Sequence, residues 1–221
     1  MQMGVSEGEL RVRVSTVREA LARAAEVLEE HKGELNELDA AIGDGDHGRT
    51  VSRAFGGMAE ELEELAREAE DVGSLLKSVG RQIVFSSGAA TGPLYGTAFM
   101  EAGEALGGEE LVDLEGLADA FAAAEEGIKE RGGGEVGEKT MLDTIDAARE
   151  ALREAVKGEL SPGQALEETV AAARRGRDST EEMVSKRGRS SRLGERTVGH
   201  IDPGAASAYL VIEAMLSPCA E

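Results

Sequence analysis

The sequence is poor in the residues that mark several common protein classes. Its single cysteine, Cys219, permits neither an internal disulfide nor a cysteine-built zinc site, and so close to the C-terminus it reads as an incidental thiol. Tryptophan is absent, aromatic residues make up 3% of the chain, and β-branched residues rarely cluster, which argues against a sheet-built core. Basic residues number 24 against 44 acidic ones, for a formal charge of −20. A surface of that sign repels phosphate backbones and anionic headgroups, which excludes nucleic acid and membrane surfaces as expected partners. No apolar run approaches the ~20 residues needed to span a bilayer, and "MQMGVSEGEL" lacks the basic start and apolar stretch of a signal peptide. A cytoplasmic location is therefore expected.

What the chain has in abundance is alanine, leucine, glutamate and arginine, the residues that lose least on entering a helix. At 221 residues it suits one sizeable core, and a single domain over 1–221 of all-α class is expected. The stretch "TVREALARAAEVLEEH" after Ser15 places Val17, Leu21, Ala24, Ala25 and Leu28 on one apolar stripe, the periodicity of an amphipathic helix. A shorter helix is expected over "ELNELDAAI", then others over 48–69, 72–86, 93–106, 113–130, 140–157, 162–186 and 204–217. Ser161 and Pro162 have the chemistry of an N-cap and first helical residue. The charge run "EELEELAREAED" reads as a solvated helix face.

Four glycine-rich stretches without helical period interrupt this pattern, at 43–50, 86–96, 131–140 and 187–204, and suggest one functional end of a helical bundle. The first, within "LDAAIGDGDHGRT", crowds Asp39, Asp44 and Asp46 around a flexible turn. Carboxylates without thiols suit a hard cation. Counted from Asp44, a calcium-binding loop would need glycine at Arg49 and glutamate at Phe55, so that pattern fails. Magnesium, which takes few protein carboxylates and keeps water and phosphate oxygens, is one reading; an Asx turn with Asp46 capping the next helix is the other. His47 beside it would donate to a phosphate or cap the turn.

In the second stretch, "FSSGAATGPLYGTAF", small residues precede a helix that Pro93 starts, a backbone anion site or a close-packing surface. The third, "RGGGEVGEKT", is one residue out of register for a phosphate-binding G-x-x-x-x-G-K-[ST] loop, because Glu138 stands between Gly137 and Lys139. It reads as a flexible lid or a plain connection. The fourth carries the charge anomaly. Eight basic residues against four acidic ones lie between Arg174 and Arg196, so "SKRGRSSRLGERT" reads as a mobile arm whose arginines meet phosphate or as a solvated linker. Asp202 and Pro203 suit the N-cap and first position of the last helix. His31 is explained by its helix end and His200 by packing.

Taken together, "LDAAIGDGDHG", "GAATGPLYGTAF", "GEKTMLD" and "GRSSRLGERTVGHIDPGAASAYL" resemble, in order and spacing, the nucleotide-binding L subunits of dihydroxyacetone kinases and the equivalent C-terminal domains of single-chain enzymes. The resemblance covers nearly the whole chain. It implies a barrel of eight antiparallel helices that holds ADP or ATP in the loops at one end through two Mg²⁺ ions. Asp39, Asp44 and Asp46 fall on the family's metal ligands. His47, Gly48, Arg49 and Thr50 fall on phosphate contacts, as do Ala90 and Thr91 on another nucleotide position. Gly132 and Met141 match contacts around the nucleoside, and Arg189, Asp202, Pro203 and Gly204 match further nucleotide contacts. Arg189 is the implied catalytic cation, steadying charge on the transferred group.

Departures from the family pattern are the run Ser87, Gly88, Ala89, Ala90, Thr91, and Arg49 with Thr50 after "DHG", where small or amide residues are common. His47 favours the dihydroxyacetone branch over the related fatty-acid kinase subunits, which carry threonine there. The resemblance further implies a separate K subunit that holds the ketose covalently. It leaves open whether bound ADP is rephosphorylated by a phosphotransferase-system subunit M, whether free ATP exchanges, or whether the chain is a nucleotide-dependent partner of a transcription regulator.

Overall fold

The computed structural model describes residues 10–87 and 91–217. Among the described residues nine α-helices follow one another: α1 (Val14–Glu30), α2 (Lys32–Ile42), α3 (His47–Glu68), α4 (Val72–Ser86), α5 (Thr91–Ala105), α6 (Leu114–Gly132), α7 (Met141–Lys157), α8 (Pro162–Ser179) and α9 (Pro203–Leu216). Two 3₁₀ segments, Thr180–Glu182 and Ser190–Thr197, lie between α8 and α9. Among the described residues the only β pairing is an isolated bridge between Val12 and Val112.

Each long helix packs on the next, α1 on α3, then in order through α9, and α9 returns to α1. The result is a closed eight-helix barrel with the short α2 set beside α3, α9 and α1. Closure follows from amphipathicity: each helix has one apolar stripe and two flanks, and a ring lets every stripe face a common interior. The stripe on α1 is buried as its spacing requires, with Leu21, Ala24 and Leu28 fully enclosed. On α3, Val51, Ala54, Phe55, Met58 and Leu62 do the same. Phe55 meets Tyr95 edge to face, with ring centroids 5.3 Å apart. The interior retains an apolar cavity of about 160 Å³ bounded by Val17, Leu76, Tyr95, Phe99 and Ile212.

Glycine allows the closest approaches in the ring. A Cβ on Gly80 would stand 2.5 Å from the carbonyl oxygen of Gly96, and one on Gly96 2.7 Å from that of Gly80, so α4 and α5 touch backbone to backbone.

Three sequence expectations are corrected. The first helix starts at Val14 with Arg13 at the cap position and no side-chain cap bond, so Ser15 lies inside it. The helix expected over 162–186 ends at Ser179. Continuing it would require the Thr180 carbonyl to accept from the amide four residues on; instead it accepts from Met183 N and from the ammonium of Lys139. The arginine-rich segment is a folded structure rather than a free arm, turning through 3₁₀ geometry with Gly194 in the left-handed region at φ 58°.

Candidate functional site

The antiparallel order puts alternate helix starts at one end of the barrel. His47, Pro93, Met141 and Pro203, from the first turns of α3, α5, α7 and α9, all line one cleft of about 630 Å³. Four helix N-termini, each carrying partial positive charge, thus face a common space. Pro93 and Pro203 stand where a helix has no use for their missing N–H.

Facing these positive ends are Asp39, Asp44 and Asp46, which offer carboxylate oxygens within 4.8 Å of one another. Asp39, from the last turn of α2, accepts from the backbone N–H groups of Asp46 (2.8 Å) and His47 (3.1 Å) through Oδ2. It therefore caps α3 from a neighbouring helix. Asp46 occupies the N-cap position of α3 yet makes no side-chain cap bond, so the capping alternative for this turn is not the one the structure adopts. Asp44 meets the guanidinium of Arg189 in an ion pair. Three converging oxygen donors, one of them relieved of its capping duty, fit a hard divalent cation.

The remaining wall comes from the other loops. Gly132, Gly134, Lys139, Thr140, Met141, Arg187, Gly188, Arg189, Asp202 and Gly204 line the cleft. The 133–140 loop is built rather than slack. Gly133 and Gly137 adopt positive φ (61° and 83°), and the Asp143 carboxylate accepts from Gly137 N (2.5 Å) and Thr140 N (2.7 Å). Glu138 ties it to the basic segment through Arg187 Nε (2.5 Å) and, by its carbonyl, Lys186 N (3.1 Å).

Two buried groups are set against their ordinary ionisation. Burial pushes the Asp202 carboxyl up to about 7, partly opposed by its bond from Ala205 N and by Lys139. Burial also lowers the His47 imidazole to about 4, although Asp39 and Asp46 pull the other way. His47 Nε2 bonds Ser207 Oγ (2.9 Å), which in turn bonds Tyr95 OH (2.8 Å) and donates to the Gly204 carbonyl (3.0 Å). His47 is thus a neutral wall residue tied to α5 and α9.

Of the residues expected at a nucleotide site, the cleft gathers Asp39, Asp44, Asp46, His47, Thr50, Gly132, Met141, Arg189, Asp202, Pro203 and Gly204. Gly48 and Arg49 stand outside its lining. Gly48 faces α2, where a Cβ would lie 2.1 Å from the Lys32 carbonyl oxygen, and exposed Arg49 gives its amide to Asn36 Oδ1 (3.1 Å). Ala90 lies outside the described residues, and Thr91 opens α5. His200 is exposed rather than packed, and contributes its carbonyl to Lys139. Lys139 itself was missed: its lysine stands inside "GEKTMLD", but nothing local distinguishes it from a solvated one.

Comparison with known proteins matches residues 41–217 to the DAK2 domain. The chain belongs to the DAK2-domain family. The chain is 38% identical over 191 residues to the ADP-binding subunit DhaL of PEP-dependent dihydroxyacetone kinase 1 from Listeria innocua, covering 86% of this chain and 89% of that one. It is 36% identical to the corresponding subunit of Escherichia coli, covering 87% and 91%. The dihydroxyacetone kinase of C. freundii in complex with AMP-PNP and Mg²⁺ superposes with a TM-score of 0.67 at 23% identity, over 97% of this chain and 36% of that longer chain. Among its described residues, no helix is long and apolar enough to cross a membrane.

Proposed function

We propose that this chain is the ADP-binding, phosphoryl-donating subunit of a dihydroxyacetone kinase, acting on ketose held by a separate K subunit. The observation that carries the reading is the convergence of three carboxylates, an arginine and four helix N-termini on one cleft. Carboxylates and helix N-termini attract opposite charges, and a magnesium–nucleotide complex presents both. Names of relatives that align over nearly their whole length, ADP-binding subunits of PEP-dependent kinases, point the same way.

Phosphoryl transfer asks a protein for positioning and charge stabilisation more than for covalent chemistry. Asp39, Asp44 and Asp46 would hold Mg²⁺, which when bound would neutralise phosphate charge. The amides at the starts of α3, α5, α7 and α9 supply fixed dipoles toward the phosphates. Arg189 gives up Asp44 and turns its guanidinium to the transferred group, where a planar fork of donors suits three phosphate oxygens. Gly132, Met141 and the 202–204 turn form the nucleoside side. His47, buried and neutral, orients the wall and adds no charge. Bound ADP is retained as a cofactor and rephosphorylated by a phosphotransferase-system subunit.

Purification without added nucleotide, followed by chromatography of the heat-released supernatant, should yield ADP near one equivalent, lost on dialysis against EDTA. With a K subunit and a phosphotransferase system the protein should then phosphorylate dihydroxyacetone. An empty protein that works with ATP alone would replace the cofactor reading by exchange. Absence of any Mg-dependent nucleotide binding would overturn the reading altogether.

A further inference from the structure

Among the described residues Lys139 is the one lysine that lines the cleft, and the residue is 1% exposed. A lysine so enclosed needs partners for every proton that it cannot give to water. It donates to the carbonyls of Thr180 and His200, 41 and 61 residues away in sequence. One belongs to the end of α8 and the other to the segment entering α9. Its own backbone is held in the left-handed region at φ 63°, a conformation an L-residue keeps only when its surroundings impose it. The neighbouring Thr140 caps α7, while Asp202, two residues past His200, donates its amide to Thr180 Oγ1 (3.0 Å) and caps α9.

These bonds form a closed figure: the start of α7, the end of α8 and the start of α9 are pinned to one ammonium. The acidic groups facing it are Asp202 before α9, Glu181 in the 3₁₀ turn and Asp143 on α7. Between the two pinned carbonyls runs the segment that carries Arg187, Gly188 and Arg189 to the cleft.

We propose that Lys139 is a positioning residue: its buried ammonium fixes the segment 180–202 and the start of α9 against α7, and so sets the shape of the cleft around Arg189, Asp202 and Gly204. The consequence for nucleotide affinity rests on the function proposed above; the consequence for the segment does not.

The test uses the full chain with Lys139→Met and Lys139→Gln, read by amide hydrogen exchange without nucleotide and by titration with Mg·ADP. Exchange over 180–202 should quicken by about tenfold or more in Lys139→Met, less in Lys139→Gln, while α1 and α4 keep their protection. The dissociation constant for Mg·ADP should rise by roughly tenfold. In the wild-type protein, ¹⁵N-labelled lysine should give one ammonium signal protected from water at neutral pH, absent in Lys139→Gln. Unchanged exchange over 180–202 in either folded variant overturns the proposal, as does the lack of any protected ammonium signal should neither variant fold. If wild-type protein fails to bind Mg·ADP while the segment still loosens, the functional reading falls and the positioning role stands.

Discussion

The two ends of the barrel use the same residue types for different work. Away from the cleft, Asp71 accepts from Ser74 N (2.6 Å), Asp113 from Gly116 N (2.8 Å), and Ser161 forms a capping box with Gln164. Each side chain is consumed by the helix that it begins. At the cleft, Asp46 stands at the same position of α3 and makes no such bond: the amide it would cap, Arg49 N, goes to Asn36 Oδ1 of α2 (3.1 Å), while Asp39 of the same helix accepts from Asp46 N and His47 N. A cap worth about 1 kcal/mol is thus delivered by a second residue and the first carboxylate is left free. The contrast separates aspartates that hold the fold from aspartates held in place by it.

Asp46→Asn should give the largest effect and break the contrast most directly. Isothermal titration should show Mg·ADP affinity reduced by about a hundredfold, or roughly 2.8 kcal/mol, with melting temperature nearly unchanged because Asn36 and Asp39 still cap α3. A large loss of stability with intact binding would instead place Asp46 among the structural caps.

Asp202 shares features of both ends: it caps α9 through Ala205 N (2.8 Å) and lines the cleft, buried. The folded protein keeps its proton up to about pH 7, whereas the unfolded chain releases it near 3.8. More protons bind the folded state in that window, so this group's contribution is complete below about pH 3.8 and lost as pH rises to about 7,. Each tenfold difference in proton affinity is worth about 1.4 kcal/mol. Nucleotide-free wild-type protein should therefore lose stability across that range more steeply than Asp202→Asn, which caps without titrating. Identical slopes in denaturant melts at several pH values would remove Asp202 from the account.

Much of this arrangement was legible in sequence, and the failures share a cause. Helical period located the barrel elements, since burial of one stripe is a local demand that the spacing of Val17, Leu21 and Leu28 already expresses. Glycine, proline and the aspartate spacing located the cleft loops. What could not be read were properties set by partners far along the chain. Nothing near Lys139 announces carbonyls 41 and 61 residues away, and the helix expected to reach 186 stops at Ser179 for the same reason. Gly48 falls on a phosphate contact by resemblance, and the structure adds a demand its neighbours in sequence do not show: its lack of a side chain also answers to Lys32 across the α2–α3 contact.

Gly48→Ala sharpens that last distinction. The new Cβ would stand 2.1 Å from the Lys32 carbonyl oxygen and 3.0 Å from Asn36 Oδ1, so α2 must move. Overpacking of this kind costs about 1–3 kcal/mol, to be read as a lower denaturation midpoint. Because α2 carries Asp39, part of the nucleotide affinity should fall with it. Lost affinity at full stability would return Gly48 to the phosphate site.

Asp71→Ala supplies the smallest effect and the control for the other three. Its carboxylate belongs to a capping box with Ser74 at the start of α4, reached from the cleft along the 22 residues of α3, roughly 33 Å at 1.5 Å per residue. Truncation should cost about 1 kcal/mol in chemical denaturation and leave Mg·ADP affinity within experimental error. At that distance no contact links the two, and a surface cap frays only its own first turn. If Asp71→Ala weakened binding as Asp46→Asn does, the ends of the barrel would be coupled through α3, and the division between structural and functional aspartates would have to be drawn by helix instead of by end.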